Sequence, residues 1–325
     1  MERLIIDTDP GVDDALAIMM AAAYPGVEIV ALTAVAGNVS LHHTLANACI
    51  IADRCDLAVP IYAGCDTAFV YPGADAAYAH GQDGLGNAGF PPSSRPVGPE
   101  HAALALLHLI NEAPGDITLL AIGPLTNIAL ALKLEPQLPS KVKRFVVMGG
   151  AMTGHGNTPN VTAEYNIYAD PEAAHIVFSG WQQAGRVLEL VDWEATLRHG
   201  VDYETVNRWL ELDTSPARFF QAFYGHTIRY VRDSLKRPHL SLADPLAMAV
   251  VLEPEIVQQA EQQYVMVETN GRYTRGQTIV DWENRLKRPA NAHIILEVNH
   301  GRFLQLVEMA LNKGDDTGSS PPRLH

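Results

Sequence analysis

The sequence predicts an α/β fold: an open, mostly parallel, doubly wound Rossmann-like sheet with helices on both faces and additional helices and strands toward the C-terminus. Three observations predict it. Short apolar runs alternate with helical patterns over roughly the first 190 residues. These runs are continuous rather than alternating, as in parallel strands buried on both faces. Hydrophobic residues make up 47% of the 325 and aromatics only 7%, so the core is aliphatic.

The elements follow in order. Residues 4–6 are the first strand, 15–24 a helix and 27–35 the second strand. A helix at 41–54 leads to a short strand at 59–62. Helix 101–112 precedes strand 117–122, helix 125–134 precedes strand 145–148, and helix 171–179 precedes strand 187–191. Beyond Asp192 the pattern changes. Residues 203–230 and 245–251 are helical, 264–268, 277–281 and 294–298 alternate like edge or antiparallel strands, and 303–312 is a closing helix. The polar stretch 314–325 reads as a flexible tail. With no internal repeat and no long linker, residues 1–313 are expected to form a single domain.

Lys and Arg number 23 and Asp and Glu 37, a net charge of −14. That balance argues against a nucleic-acid partner and suits recruitment of a cation. The three cysteines, Cys49, Cys55 and Cys65, have no metal-site or disulfide spacing. No signal-peptide pattern and no membrane-length apolar run is present, so a reducing cytoplasm and no membrane partner are expected.

The most informative stretch is Ile5-Ile6-Asp7-Thr8-Asp9-Pro10-Gly11-Val12-Asp13-Asp14. Four carboxylates follow an apolar strand, at the sheet edge where doubly wound folds bind ligands. Crowded like charges are costly unless a cation offsets them. Oxygen donors without His or Cys indicate Ca²⁺ or Mg²⁺ rather than zinc. Helix capping by Asp13 or Asp14 accounts for one carboxylate, not four. Asp244-Pro245 and Asp170-Pro171 both have the form of a helix N-cap followed by its first residue, and capping suffices for Asp170. At Ile122-Gly123-Pro124 the glycine admits close approach, and the Ile122 carbonyl at the strand end is a possible ligand. Glu164 and Asn166, at i and i+2 of an expected extended segment, suit sugar hydroxyls. Two long Gly-rich loops, 79–90 and 149–160, have the length of functional flaps.

Together these motifs resemble the nucleoside hydrolase family, the inosine–uridine-preferring ribohydrolases. DTDPGVDDALA at 7–17 looks like the family's N-terminal signature. VAGN at 35–38, HGQDGLG at 80–86, GPLTNIALA at 123–131, VMGGA at 147–151 and AEYNIYADPEAA at 163–174 follow in the family's order. The resemblance spans residues 3 to about 300. It implies Ca²⁺-dependent hydrolysis of the N-glycosidic bond of ribonucleosides, by a homodimer or homotetramer active in nucleoside salvage. It further implies metal ligation by Asp9, Asp14, the Ile122 carbonyl and Asp244, with Asp9 as general base. Asp13, Asn38, Glu164 and Asn166 would hold ribose and Met148 would pack against it. Asn157 or Asn160 would add a contact, Asn157 being favoured.

The chain departs from the best-known branch at Ala243, where a leaving-group His is expected before Asp244. His80, in a matching motif, is the favoured substitute. His239, Tyr224, His226 and Tyr230 are other possible acids, and Trp193 or Trp282 could stack on a purine. A missing acid should harm uridine more than inosine, so a purine preference is expected. Two rivals stand beside this reading. One is a catalytically weak nucleoside- or calcium-binding protein. The other is a phosphatase of the haloacid dehalogenase type, with Asp7 as nucleophile.

Overall fold

The computed structural model describes residues 1–72 and 75–313; the expected tail lies outside the described residues. Strands β1 (Glu2–Thr8), β2 (Val27–Ala34), β3 (Ile61–Ala63), β4 (Ile117–Ala121), β5 (Arg144–Met148), β6 (Leu188–Val191), β7 (Val257–Gln263) and β8 (Ala292–Val298) form one eight-stranded sheet. Its order is β3-β2-β1-β4-β5-β6-β8-β7, and only the β8–β7 pair is antiparallel. The order reverses between β1 and β4, so a crevice opens beyond their carboxyl ends. This is the α/β fold expected from the sequence.

Helices cover both faces. On one side Val12–Ala23, Leu41–Arg54, Ser215–Arg229, Ala243–Leu252 and His300–Leu311 share a core with Leu4, Ile6, Leu32 and Leu120. On the other, Ala102–Glu112, Thr126–Leu134 and Pro171–Gln183 pack on Ile5, Leu119, Val147 and Leu190. Neighbours Ile5 and Ile6 of β1 enter opposite cores, which is why the strands read as unbroken apolar runs.

The expectations past Asp192 need correction. The helical stretch 203–230 is two helices, Tyr203–Leu210 and Ser215–Arg229. Thr214 caps the second through the Ala217 N–H at 3.1 Å, and Pro216 lies in its first turn. β8 is antiparallel to β7, as the pattern allowed, but is an interior strand that also pairs parallel to β6. Strand β7 was not expected, because its sequence VQQAEQQ is polar. It is the sheet's edge, and a polar edge resists pairing with other chains. Val265–Val267 and Thr278–Val280 form a separate antiparallel pair. The first helix begins at Val12, not near Asp14.

Candidate active site

The loop after β1 and the first helix turn the acidic motif inward. Asp7 faces away from the crevice. It accepts from Thr33 Oγ1 at 2.5 Å and Asn127 Nδ2 at 2.9 Å, and burial pushes it up to about 7. It is a structural acid, which removes the nucleophile required by the phosphatase rival.

Asp13, Asp14 and Asp244 converge, each offering a carboxylate oxygen within 4.8 Å of the others. Asp14 Oδ1 accepts from Thr8 Oγ1 at 2.5 Å, and its Oδ2 accepts from the Gly11 N–H at 2.9 Å, so Asp14 both caps the helix and faces the cluster. Asp9 lies beside them. Its Oδ2 accepts from the Asn38 N–H at 2.6 Å, while its buried Oδ1 has no partner. Bare backbone crowds this carboxylate: a Cβ on Gly37 would lie 2.0 Å from Asp9 Oδ2, and one on Gly123 would lie 2.7 Å from Oδ1. Burial first, then mutual repulsion, holds Asp9 and Asp244 well above the usual carboxylate range. Burial also pushes Asp13 and Asp14 up to about 6, Asp13 adding to the effect on Asp14. A cation among them would offset the mutual repulsion and favour the ionised forms. Hard oxygen donors and an orphaned buried oxygen fit a divalent metal. Asp244 is not the helix N-cap: Leu242 holds that position, and Asp244 turns its carboxylate to the cluster.

Asp13 and Asp244 floor a cavity of about 190 Å³, with Asp9 and Asp14 buried behind them. Asp13, Asn38, the segment at Ile122, Met148, Asn157, Glu164, Asn166 and Asp244 all line it. Asn38 Nδ2 bridges the Asp9 carbonyl and Asp14 Oδ2, both at 3.2 Å. Asn166 Nδ2 donates to the Ile122 carbonyl at 3.1 Å and the Met148 carbonyl at 3.2 Å. The expected extended segment around Glu164 is instead a helix start. Glu164 caps Tyr165–Ala169, accepting from the Asn166 N–H at 2.8 Å and the Ile167 N–H at 3.2 Å. Burial pushes its carboxyl up to about 7. Asn157 Oδ1 is buried without a partner, whereas Asn160 is spent on the loop, bonded to Thr158 and the Arg275 carbonyl.

Of the candidate leaving-group residues, His80, Trp193, Tyr224 and Tyr230 line the cavity and His226, His239 and Trp282 do not. His80 Nδ1 accepts from the Val12 N–H at 3.2 Å and lies 3.7 Å from Asp13 Oδ1. Burial lowers the ring to about 4, so it is neutral with its proton on Nε2. Sequence reasoning missed Arg237. It lines the cavity with its guanidinium carbon 5.1 Å from the Trp193 ring centre, and no carboxylate pairs with it among the described residues. A lone Arg among Lys236 and Pro238 carries no motif. Its placement depends on the π-helical turn Tyr230–Ser234 and on Lys236 at φ 54°.

The family model described as inosine-uridine preferring nucleoside hydrolase matches residues 4–305. The inosine-uridine preferring nucleoside hydrolase of Crithidia fasciculata is 34% identical, covering 97% of this chain and 99% of its own. The non-specific ribonucleoside hydrolase RihC of Salmonella enteritidis is 37% identical, covering 94% and 96%. The solved inosine-guanosine nucleoside hydrolase superposes with a TM-score of 0.87 at 34% identity, covering 96% and 99%. Sequence and fold agree, and the chain belongs to the inosine-uridine preferring nucleoside hydrolase family, whose members are enzymes acting on the N-glycosyl bonds of ribonucleosides.

Proposed function

We propose that this hydrolase uses Ca²⁺ and prefers purine ribonucleosides. The observation that carries the metal reading is the convergence of Asp13, Asp14 and Asp244 beside the unpartnered Asp9 Oδ1. Asp9, Asp14, Asp244 and the Ile122 carbonyl would hold the ion, with Asp13 close enough to share it. Bound calcium supplies fixed positive charge that orients a water and lowers its pKa. Asp9, buried beside Gly37 and Gly123, would take the proton from the attacking water at Oδ1. Asp13, Asn38, Asn157, Glu164 and Asn166 hold the ribose hydroxyls, and Met148 packs against the ring. As the bond to the base lengthens, positive charge develops on the sugar, and the surrounding carboxylates stabilise it.

The departing base meets no acid at Ala243, which is buried and lines the cavity. His80 donates a hydrogen bond from Nε2. Trp193 and the Arg237 fork offer a stacking face and donors suited to the acceptor-rich edge of a 6-oxopurine. The name of the inosine-guanosine relative is consistent with this preference. A nucleoside panel tests it: inosine and guanosine should give the highest kcat/KM, and a higher value for uridine would reverse the assignment. The absent acid also sustains a second reading, a weakly catalytic nucleoside binder, which saturable inosine binding without ribose release would establish.

A further inference from the structure

The second Gly-rich loop is gathered by one carboxylate that the proposed reaction does not use. Glu194, 8% exposed, accepts through Oε2 from the Met152 N–H at 2.7 Å. Through Oε1 it accepts from the Thr153 N–H at 2.8 Å, the Thr153 hydroxyl at 2.7 Å and the His155 N–H at 3.4 Å. Two residues later comes Asn157, with its orphaned Oδ1 in the cavity wall. Trp193, next to Glu194, lines the same cavity, and its backbone N–H donates to the Gly150 carbonyl at 2.9 Å.

Behind Glu194 stands Asp192, 1% exposed, whose Oδ1 accepts from the Ala195 N–H at 2.7 Å. The Asp192 and Glu194 carboxyls are close enough to shift each other's titration. Two neighbouring buried carboxylates cannot both be ionised cheaply, so one of them holds a proton. Burial first, and Glu194 second, push Asp192 up to about 8. Burial also raises Glu194, but Asp192 and the hydrogen bonds from Thr153 and the Met152 N–H outweigh it and hold Glu194 below the usual range. The proton therefore belongs to Asp192. Charged and titratable neighbours are Arg198 on the same helix, ion-paired to Glu297 of β8 at 3.4 Å; His199, 3.4 Å from Glu297; His155 in the loop; and Arg237 over Trp193.

We propose that Glu194, backed by Asp192, is a positioning residue that fixes the 152–155 segment and thereby aims the Asn157 amide at the substrate. This rests on the reading of the cavity as a nucleoside site. The sign of its pH dependence follows. The Asp192 carboxyl is raised in the folded protein, so its contribution is complete below the ordinary carboxylate range and is lost as pH rises through about 8. Above that, two adjacent carboxylates repel and the loop loosens.

Amide hydrogen exchange and inosine kinetics on the full-length protein test the clamp together. Glu194→Ala should speed exchange of the Met152, Thr153 and His155 amides at least ~10-fold and lower kcat/KM by ~10–100-fold, mostly through KM. Combined with Asn157→Ala it should add no further loss, because both act through one contact. Asp192→Asn retains a neutral side chain beside Glu194 and an acceptor for Ala195 without a titrating proton. It should keep wild-type exchange at pH 7 and remove the rise in KM above pH 8. Unchanged exchange in Glu194→Ala, additive losses in the double variant, or a persisting alkaline rise in Asp192→Asn would each overturn the clamp. If wild type cleaves no nucleoside, the proposed reaction fails, and the exchange result alone decides the clamp.

Discussion

Ala243 sits at the first turn of the helix that delivers Asp244, so a side chain grown there enters the cavity beside the acidic floor. Ala243→His should raise kcat on uridine more than on inosine, since a pyrimidine lacks the N7 through which a purine is activated; equal gains would show that leaving-group protonation is not what limits uridine. In the proposed reaction His80 acts by hydrogen bonding in its neutral form. His80→Ala should therefore slow natural nucleosides much more than p-nitrophenyl riboside, whose leaving group needs no help. Equal losses on both would assign His80 to structure alone. The residue scale was also where the sequence was least legible. Asp9, Asp13 and Asp14 were readable because four carboxylates in eight residues have no common structural use. Arg237 and Glu194 were not, because each is a single charge whose meaning depends on a loop distant in sequence.

Strands β1, β2 and β4 to β6 were legible because each is buried on both faces and shows as a plain apolar run. Edge strand β7 was not, since its solvent-facing residues erase the pattern. Caps behaved according to their surroundings. Asp170 is a true N-cap, its Oδ1 accepting from the Ala173 N–H at 3.0 Å. Its Oδ2 also accepts from Thr126 Oγ1 at 2.8 Å and the Phe69 N–H at 3.1 Å, which ties two further segments to the helix. The same Asp-Pro pair at 244–245 serves the crevice instead, a difference visible only once the helix start is known. Asp170→Ala strands a buried hydroxyl as well as removing a cap. It should cost about 2–4 kcal/mol, read as a lower urea midpoint, while KM for inosine stays near wild type. A loss of activity without a loss of stability would place Asp170 in the site after all.

At the scale of the whole molecule, the sheet and its two helical layers exist around a charge problem. Asp9, Asp13, Asp14 and Asp244 are brought together from the loop after β1, the first helix and a helix more than 200 residues away. Among the described residues, Arg237, which lies over Trp193, is the one Lys or Arg that lines the cavity. A cation that binds only the folded chain stabilises it by mass action, about 2.7 kcal/mol at a hundred times its dissociation constant. Chelator should therefore lower Tm as well as activity, and calcium should restore both. A Tm indifferent to chelator would detach the cluster from metal binding.

The most direct measurement follows free base and ribose released from inosine by wild type and Asp9→Asn, with and without chelator. The account predicts equimolar base and ribose from the wild type, loss of both in chelator with recovery on adding calcium, and at least ~10²-fold lower kcat in Asp9→Asn. Full activity in chelator, or near-normal turnover by a calcium-loaded Asp9→Asn, would contradict it.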